Sequence, residues 1–167
     1  MNKFEEDFRL AEKAIPHQNR IYQVLFDNPK IVRFSKTNRV ILDRKYHIDV
    51  ELELGNGIKL LGQEKALRFK FIKFNTFTIE FYQDRYTKEK GEFFNLGAQF
   101  YLHSYWNERE DGFCRWVFIK VFDFLEWLKK KDIEELEEKT RPSTSNASFY
   151  YIRYDEIPAE FVYSANL

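Results

Sequence analysis

The side chains of this chain best suited to chemistry are acids and one lysine on short alternating stretches: Asp49, Glu51 and Glu53, then Glu64 and Lys65, then Glu80. Carboxylates gathered from neighbouring strands hold a hard divalent cation, and a lysine beside them steadies the charge that builds on a phosphate under attack by water. Such a set cleaves phosphodiesters, provided the acids and the ammonium converge. His47, Asp49, Glu51 and Glu53 alternate with Ile48, Val50, Leu52 and Leu54, the period-two pattern of a strand with one buried face. Asn56-Gly57 follows, a pair that tolerates the positive φ angles of a tight hairpin turn.

Two registers fit this hairpin. A two-residue turn pairs Gly55 with Ile58 and sets Asp49 across from Glu64, two like charges that need a cation, a proton or a lysine between them. A three-residue turn pairs Leu54 with Ile58 and Glu53 with Lys59, and sets Asp49 across from Gln63 with Lys65 one step further on that face. Glu80, in Thr78-Ile-Glu-Phe-Tyr82, adds a third carboxylate among apolar neighbours, a costly place unless it is exposed or liganded. Plainer readings stand beside these. Asp49 and Glu51 fit a solvated strand face, and Glu80 fits a partner of Arg85 or Lys70. Arg68, Lys70 and Lys73 fit either a patch that tracks nucleic-acid phosphates or a solvated sheet face.

In these residues the chain resembles the PD-(D/E)XK nuclease superfamily, the restriction-endonuclease-like fold, in a divergent form similar to its small phage-type members. That family carries an Asp on one core strand and an acid-x-Lys on the next. Asp49 followed by Gln63-Glu64-Lys65 looks like that pattern, with Gln63 in the position of the usual acid. A second threading takes Glu64 as the first acid and Glu80-Phe-Tyr82 as the second half, with Tyr82 in place of the lysine. The resemblance covers roughly residues 17 to 125, including a preceding helix and a later helix-strand segment. It implies a metal-dependent nuclease acting on DNA, with Asp49, Glu64 and Glu80 holding Mg²⁺ or Mn²⁺. Lys65 would orient or deprotonate the attacking water, with Gln63 in support. A module that keeps the scaffold to bind nucleic acid or protein without catalysis is the alternative.

The length fits one domain over residues 1–167, and 19% aromatic with 32% charged residues excludes a disordered or low-complexity chain. Lys+Arg and Asp+Glu are both 27, so any grip on DNA must come from a local patch. Cys114 is the only cysteine, and His17, His47 and His103 lack ligand spacing, which argues against a disulfide, a zinc centre or a cysteine nucleophile. With no leader-type start and no stretch of bilayer-spanning length, a cytoplasmic protein without a membrane partner is expected. The aromatic run Phe93-Phe94, Phe100-Tyr101 and Tyr105-Trp106 reads as core packing.

The elements expected to position these residues form an α/β fold with a central mixed, largely antiparallel sheet flanked by helices. A helix over about 3–14 should stop at Pro16, and a second over 17–26 should close at Asn28-Pro29. Strands are expected over 31–34, 39–42, 46–54, 58–67 and 76–82, then a helix running into a strand across 91–106 and a buried strand over 113–122. Asp123-Phe-Leu-Glu126 resembles a capping box opening a helix that reaches about Lys139. A loop over 141–147 and a late strand over 149–154 complete the pattern.

Overall fold

The computed structural model describes residues 3–34 and 45–167, with side chains from Glu5 onward. Helix α1 (Lys3–Phe26) runs unbroken through Pro16, where two helices were expected. Proline removes one backbone donor and crowds the preceding turn, yet Pro16 lies on the solvent side, where a helix wrapped around a core opens its carbonyls outward. The opposite side buries Ala14, Gln18 and Tyr22 at helical spacing, and this packing carries the helix through the break.

Strands β1 (Lys30–Arg33), β2 (Val50–Glu53) and β3 (Lys59–Leu67) form an antiparallel meander. A 3-10 segment (Phe69–Phe74), strands β4 (Thr76–Asp84) and β5 (Glu89–Lys90), and the single-turn helix α2 (Glu92–Asn95) follow. The chain then returns as β6 (Phe100–Trp106), parallel to β3, and doubles back in β7 (Phe113–Ile119). Helices α3 (Val121–Leu128) and α4 (Ile133–Glu138), strands β8 (Thr140–Pro142) and β9 (Ser148–Arg153), and edge strand β10 (Val162–Asn166) complete it. The described strands make a mixed six-stranded sheet, β1-β2-β3-β6-β7-β10, and an antiparallel four-stranded sheet, β5-β4-β9-β8. The expected α/β class with a mixed sheet is therefore what the chain adopts.

Period two along each strand divides the core. Val50, Leu52, Phe100, Leu102 and Phe118 face α1 and enclose Tyr22. Tyr101, Tyr105, Val117 and Ile119 face the other way, onto Phe77, Ile79 and Phe81 of the smaller sheet and Phe124 and Leu128 of α3. The aromatic residues of β6 are core, as expected: Phe100, Tyr101, Tyr105 and Trp106 are all buried.

Several boundaries differ from the sequence pattern. The expected strand over 46–54 begins only at Val50, because His47 takes a left-handed conformation at φ 50° and turns the chain out of the sheet. Asp123 lies inside the first turn of α3 and does not cap it; the residue before the helix is Lys120. The long helix expected up to Lys139 breaks in two at Lys129–Asp132, where three successive lysines meet the extended Asp132 that opens α4. Part of the expected loop after Thr140 is strand β8. The expected strand over 39–42 lies outside the described residues. No described helix is long and apolar enough to cross a membrane.

Gly62 sets the approach of β3 to β6. It pairs with Phe100 in the parallel ladder, and a Cβ there would overlap the Phe100 ring, itself stacked on Phe118 at 4.6 Å between centroids. Gly62→Ala is expected to lower stability by about 1–3 kcal/mol, the usual cost of overfilling a packed core, measured by urea unfolding; an unchanged midpoint would show that the two strands can part without cost.

Candidate functional site

The hairpin adopts the three-residue turn. Glu53 pairs with Lys59 and Val50 with Gly62, and the Leu54 amide donates to the Ile58 carbonyl at 2.8 Å. Asp49 therefore stands opposite Gln63, its amide donating to the Gly62 carbonyl at 2.9 Å. Because β2 leaves the sheet here, the Asp49 carboxylate replaces the missing strand and accepts the Glu64 amide at 3.0 Å.

This register separates Glu64 from Lys65. Glu64 points toward α1, where Arg33 Nη2 lies 2.7 Å from Oε1 and Arg33 Nε 3.2 Å from Oε2. The Tyr22 hydroxyl donates to Oε1 at 2.8 Å, and Asn19 and Gln18 accept from the same guanidinium. Both charged side chains are about nine-tenths buried. Burial pushes the Glu64 carboxyl above its usual range, with Arg33 and Tyr22 opposing. Burial, followed by the charge of Glu64, holds the Tyr22 hydroxyl well above its usual value. Glu64 is thus a structural anion with both oxygens engaged.

The expected metal trio of Asp49, Glu64 and Glu80 does not assemble as such: Glu64 faces the helix, and Glu80 belongs to the second sheet. No cluster of three His, Cys, Asp or Glu side chains at metal-holding spacing occurs among the described residues.

Lys65 and Gln63, on the other face of β3, open into a cleft of about 350 Å³ between the two sheets. Glu80 enters it from β4, Glu92 from the start of α2, Tyr101 from β6 and His47 from the turn before β2. The Lys65 ammonium lies 4.7 Å from the centroid of the Phe149 ring. Burial lowers the Lys65 pKa, and the charges of Glu92 and Glu80 oppose that shift. Glu80, partly exposed, is pushed up first by burial and then by Glu92, with Lys65 and His47 opposing. Burial, then the charges of Glu92 and Asp49, raise the Tyr101 hydroxyl well above its usual value.

Glu92 was not among the expected site residues. It is only 6% exposed, and while Oε2 accepts the Glu80 amide at 3.4 Å, Oε1 has no hydrogen-bond partner among the described residues; neither does Gln63 Oε1. Gly91 brings it there, since a Cβ at that position would stand 2.9 Å from the Glu80 carbonyl oxygen. The signal was a lone carboxylate between that glycine and Phe93-Phe94, buried surroundings for a charge. Tyr101 and His47 were also missed as cleft residues.

The remaining expected residues lie apart from the cleft. Tyr82 donates its hydroxyl to Glu137, so the threading that uses it as a lysine substitute places it against α4. Arg68 is committed to Glu6 at 2.7 Å and Asp7 at 2.9 Å, pinning the end of β3 to the start of α1. Lys70 and Lys73 are exposed on the 3-10 segment beyond β3. A scan of protein-family models finds no match to this chain, and searches of curated proteins and of solved structures find none either.

Behind Lys65, His103 is fully buried. The Thr78 amide donates to Nε2 at 3.4 Å, so Nδ1 carries the proton toward the Tyr154 hydroxyl at 2.6 Å, and that hydroxyl donates on to the His103 carbonyl at 3.2 Å. A second ring proton would face a backbone donor, and burial, with Lys65 adding to it, holds the imidazole well below its usual 6.5.

Two outcomes are expected. Arg33→Met alone, which strands a buried carboxylate, should cost about 3–5 kcal/mol, whereas Arg33→Met with Glu64→Leu should recover most of that loss; denaturant melts in which the double variant is as weak as the single would contradict it. His103 stays neutral when folded and takes up a proton when unfolded, so stability should be complete above pH 6.5 and fall as pH drops below it, by up to about 1.4 kcal/mol per unit. His103→Gln should flatten this slope in melts recorded across that range.

Proposed function

We propose that this chain is a metal-dependent nuclease of the restriction-endonuclease-like kind, hydrolysing phosphodiester bonds in DNA at the cleft beside Lys65. The observation that carries the reading is the common face of Gln63 and Lys65, opposite Asp49 and coupled to Glu80 and Glu92. It is supported by the order of elements: a preceding helix, an Asp just before one core strand, Gln-x-Lys on the next, and, after the 3-10 segment, β4 and β5, a single helical turn that leads into the parallel strand β6. The acid missing at Gln63 has a substitute in Glu92, which the loop before β6 delivers into the same cleft.

The donor set fits a hard divalent cation. Gln63 Oε1 and Glu92 Oε1 are buried acceptors beside the Tyr101 hydroxyl, and Glu80 adds a partly exposed carboxylate. Glu80 and Glu92, with Gln63 and Asp49 in support, would hold Mg²⁺ or Mn²⁺, which would supply charge to polarise the phosphate and to acidify a water. The protein's own groups do the rest. Lys65, oriented by Phe149 and two carboxylates, steadies the phosphate oxygen as negative charge grows there. The proton given up by the attacking water would pass to solvent at the open end of the cleft, where Glu80 is partly exposed. Asp49 keeps β3 in place through the Glu64 amide, and so fixes where Lys65 points.

A second reading has its own support. Lys65 offsets part of the charge of Glu80 and Glu92, which suits the cleft to a binding module as well. The two readings part in a cleavage assay on linear and supercoiled DNA with Mg²⁺ or Mn²⁺. A nuclease at this cleft is expected to lose about 10²- to 10³-fold in rate on Lys65→Ala, Glu80→Ala or Glu92→Gln, with the folded far-ultraviolet spectrum retained. Variants that cut like the parent would move the site elsewhere. A parent that neither cuts nor takes up Mn²⁺ in calorimetry would leave the binding module.

A further inference from the structure

Between β3 and β4 the chain reads Arg68-Phe-Lys-Phe-Ile-Lys-Phe74, an arrangement that folding alone does not explain. No residue of the 3-10 segment is fully buried, and Phe69, Phe71 and Phe74 keep 37%, 39% and 44% of their surface in solvent. Three neighbouring rings so placed carry a hydration cost that packing does not offset. The segment is nonetheless held at both ends. Arg68 is clamped by Glu6 and Asp7, and Asn75, in a left-handed conformation, accepts Arg115 Nη1 at 2.7 Å and the Tyr154 amide at 2.9 Å. Ile72 packs against the main core as an anchor. The rings are therefore presented by a fixed support.

The charges around them are two lysines, together with the Glu6 and Asp7 carboxylates on Arg68. Arg68 is spent on its two acids, but Lys70 and Lys73 have no ion-pair partner among the described residues. Their ammonium groups lie 5.1 Å and 5.2 Å from the centroids of Phe71 and Phe74. Each lysine stands over a ring that keeps more than a third of its surface in solvent, so an exposed apolar ring and a cation are offered together. An unpaired nucleotide presents the complementary pair, a π-face and a phosphate. An anionic lipid surface also attracts lysines, but a segment this short lacks the long apolar face of interfacial helices.

We propose that Phe69–Phe74 is a stacking platform for single-stranded nucleic acid, in which Phe69, Phe71 and Phe74 receive bases and Lys70 and Lys73 meet the phosphates. It stands on a different segment from the cleft and does not depend on cleavage there.

The test is fluorescence anisotropy with dye-labelled oligothymidylate in EDTA, so that no metal-dependent cutting contributes. The intact chain is expected to bind it at least about 10-fold more tightly than a duplex of equal length, since paired bases have no free faces to stack. Phe71→Ala and Phe74→Ala, each checked for native circular dichroism, are each expected to weaken binding about 10-fold, the loss of one stacked base. Lys70→Gln with Lys73→Gln is expected to flatten the dependence of log K on log salt by roughly 1.4, two phosphates on a single strand. Ring variants that bind like the parent, equal affinity for duplex, or an intact chain that ignores the oligomer while sedimenting with phosphatidylserine vesicles would each overturn the platform. An intact chain that binds the oligomer but cuts no DNA with Mg²⁺ or Mn²⁺ would count against the cleft alone.

Discussion

The turn at residues 55–57 governs which side chains meet. Because strand side chains alternate, adding one residue to a hairpin loop exchanges the faces of everything on one strand relative to its partner. With Leu54 closing on Ile58, Gln63 and Lys65 look toward the second sheet while Glu64 looks toward α1. The two-residue alternative would have opposed Asp49 and Glu64. In the register adopted, the Asp49 carboxylate instead accepts a backbone amide that has lost its strand neighbour, so the acid most suggestive of a ligand also secures the sheet.

The buried pair between Arg33 and Glu64 has a comparable role on the helix side. Desolvating two full charges is expensive, and a single contact rarely compensates for it. Here the guanidinium reaches the carboxylate through two nitrogens and the side chains of α1 through two more contacts, and Tyr22 adds its hydroxyl. Such a network fixes the rotation of α1 about its axis, because only one azimuth brings Gln18, Asn19 and Tyr22 to the same ion pair. Apolar packing of Tyr22 on Phe100 and Phe118 alone would tolerate small rotations.

Local signals were legible wherever the cause was local. A strand through Val50–Glu53, a turn near Asn56-Gly57 and a helix leading to a strand after Gly91 could be read from the residues, while the register of that turn and the helix-strand boundary stayed open, and Glu51, expected on a solvated face, is buried. Failures arose where distant contacts outweighed local preference. Pro16 sits in a continuous helix because the sheet holds the opposite face, and His47 abandons an apparent strand to reach the cleft. For the candidate site, Gln63, Lys65 and Glu80 were visible as types worth watching, but Glu64 was indistinguishable from them: its partner Arg33 lies on another strand and Tyr22 on a helix. Glu92 escaped because its burial is created by the crossover, a property of the fold and not of its neighbours in sequence.

The parallel pairing of β3 with β6 has a kinetic consequence. Between these two strands the chain makes the 3-10 segment, β4, β5 and α2, and β4 finds its main partner only in β9, far along the chain. Neither sheet can be completed from contiguous sequence, so loop closure must precede most of the stabilising contacts, a feature of slow folders. Until β6 arrives, the meander presents the unpaired edge of β3, beside the exposed phenylalanines that follow it, to any neighbouring chain. Crowding during synthesis, more than marginal stability of the finished fold, is where this architecture is most vulnerable.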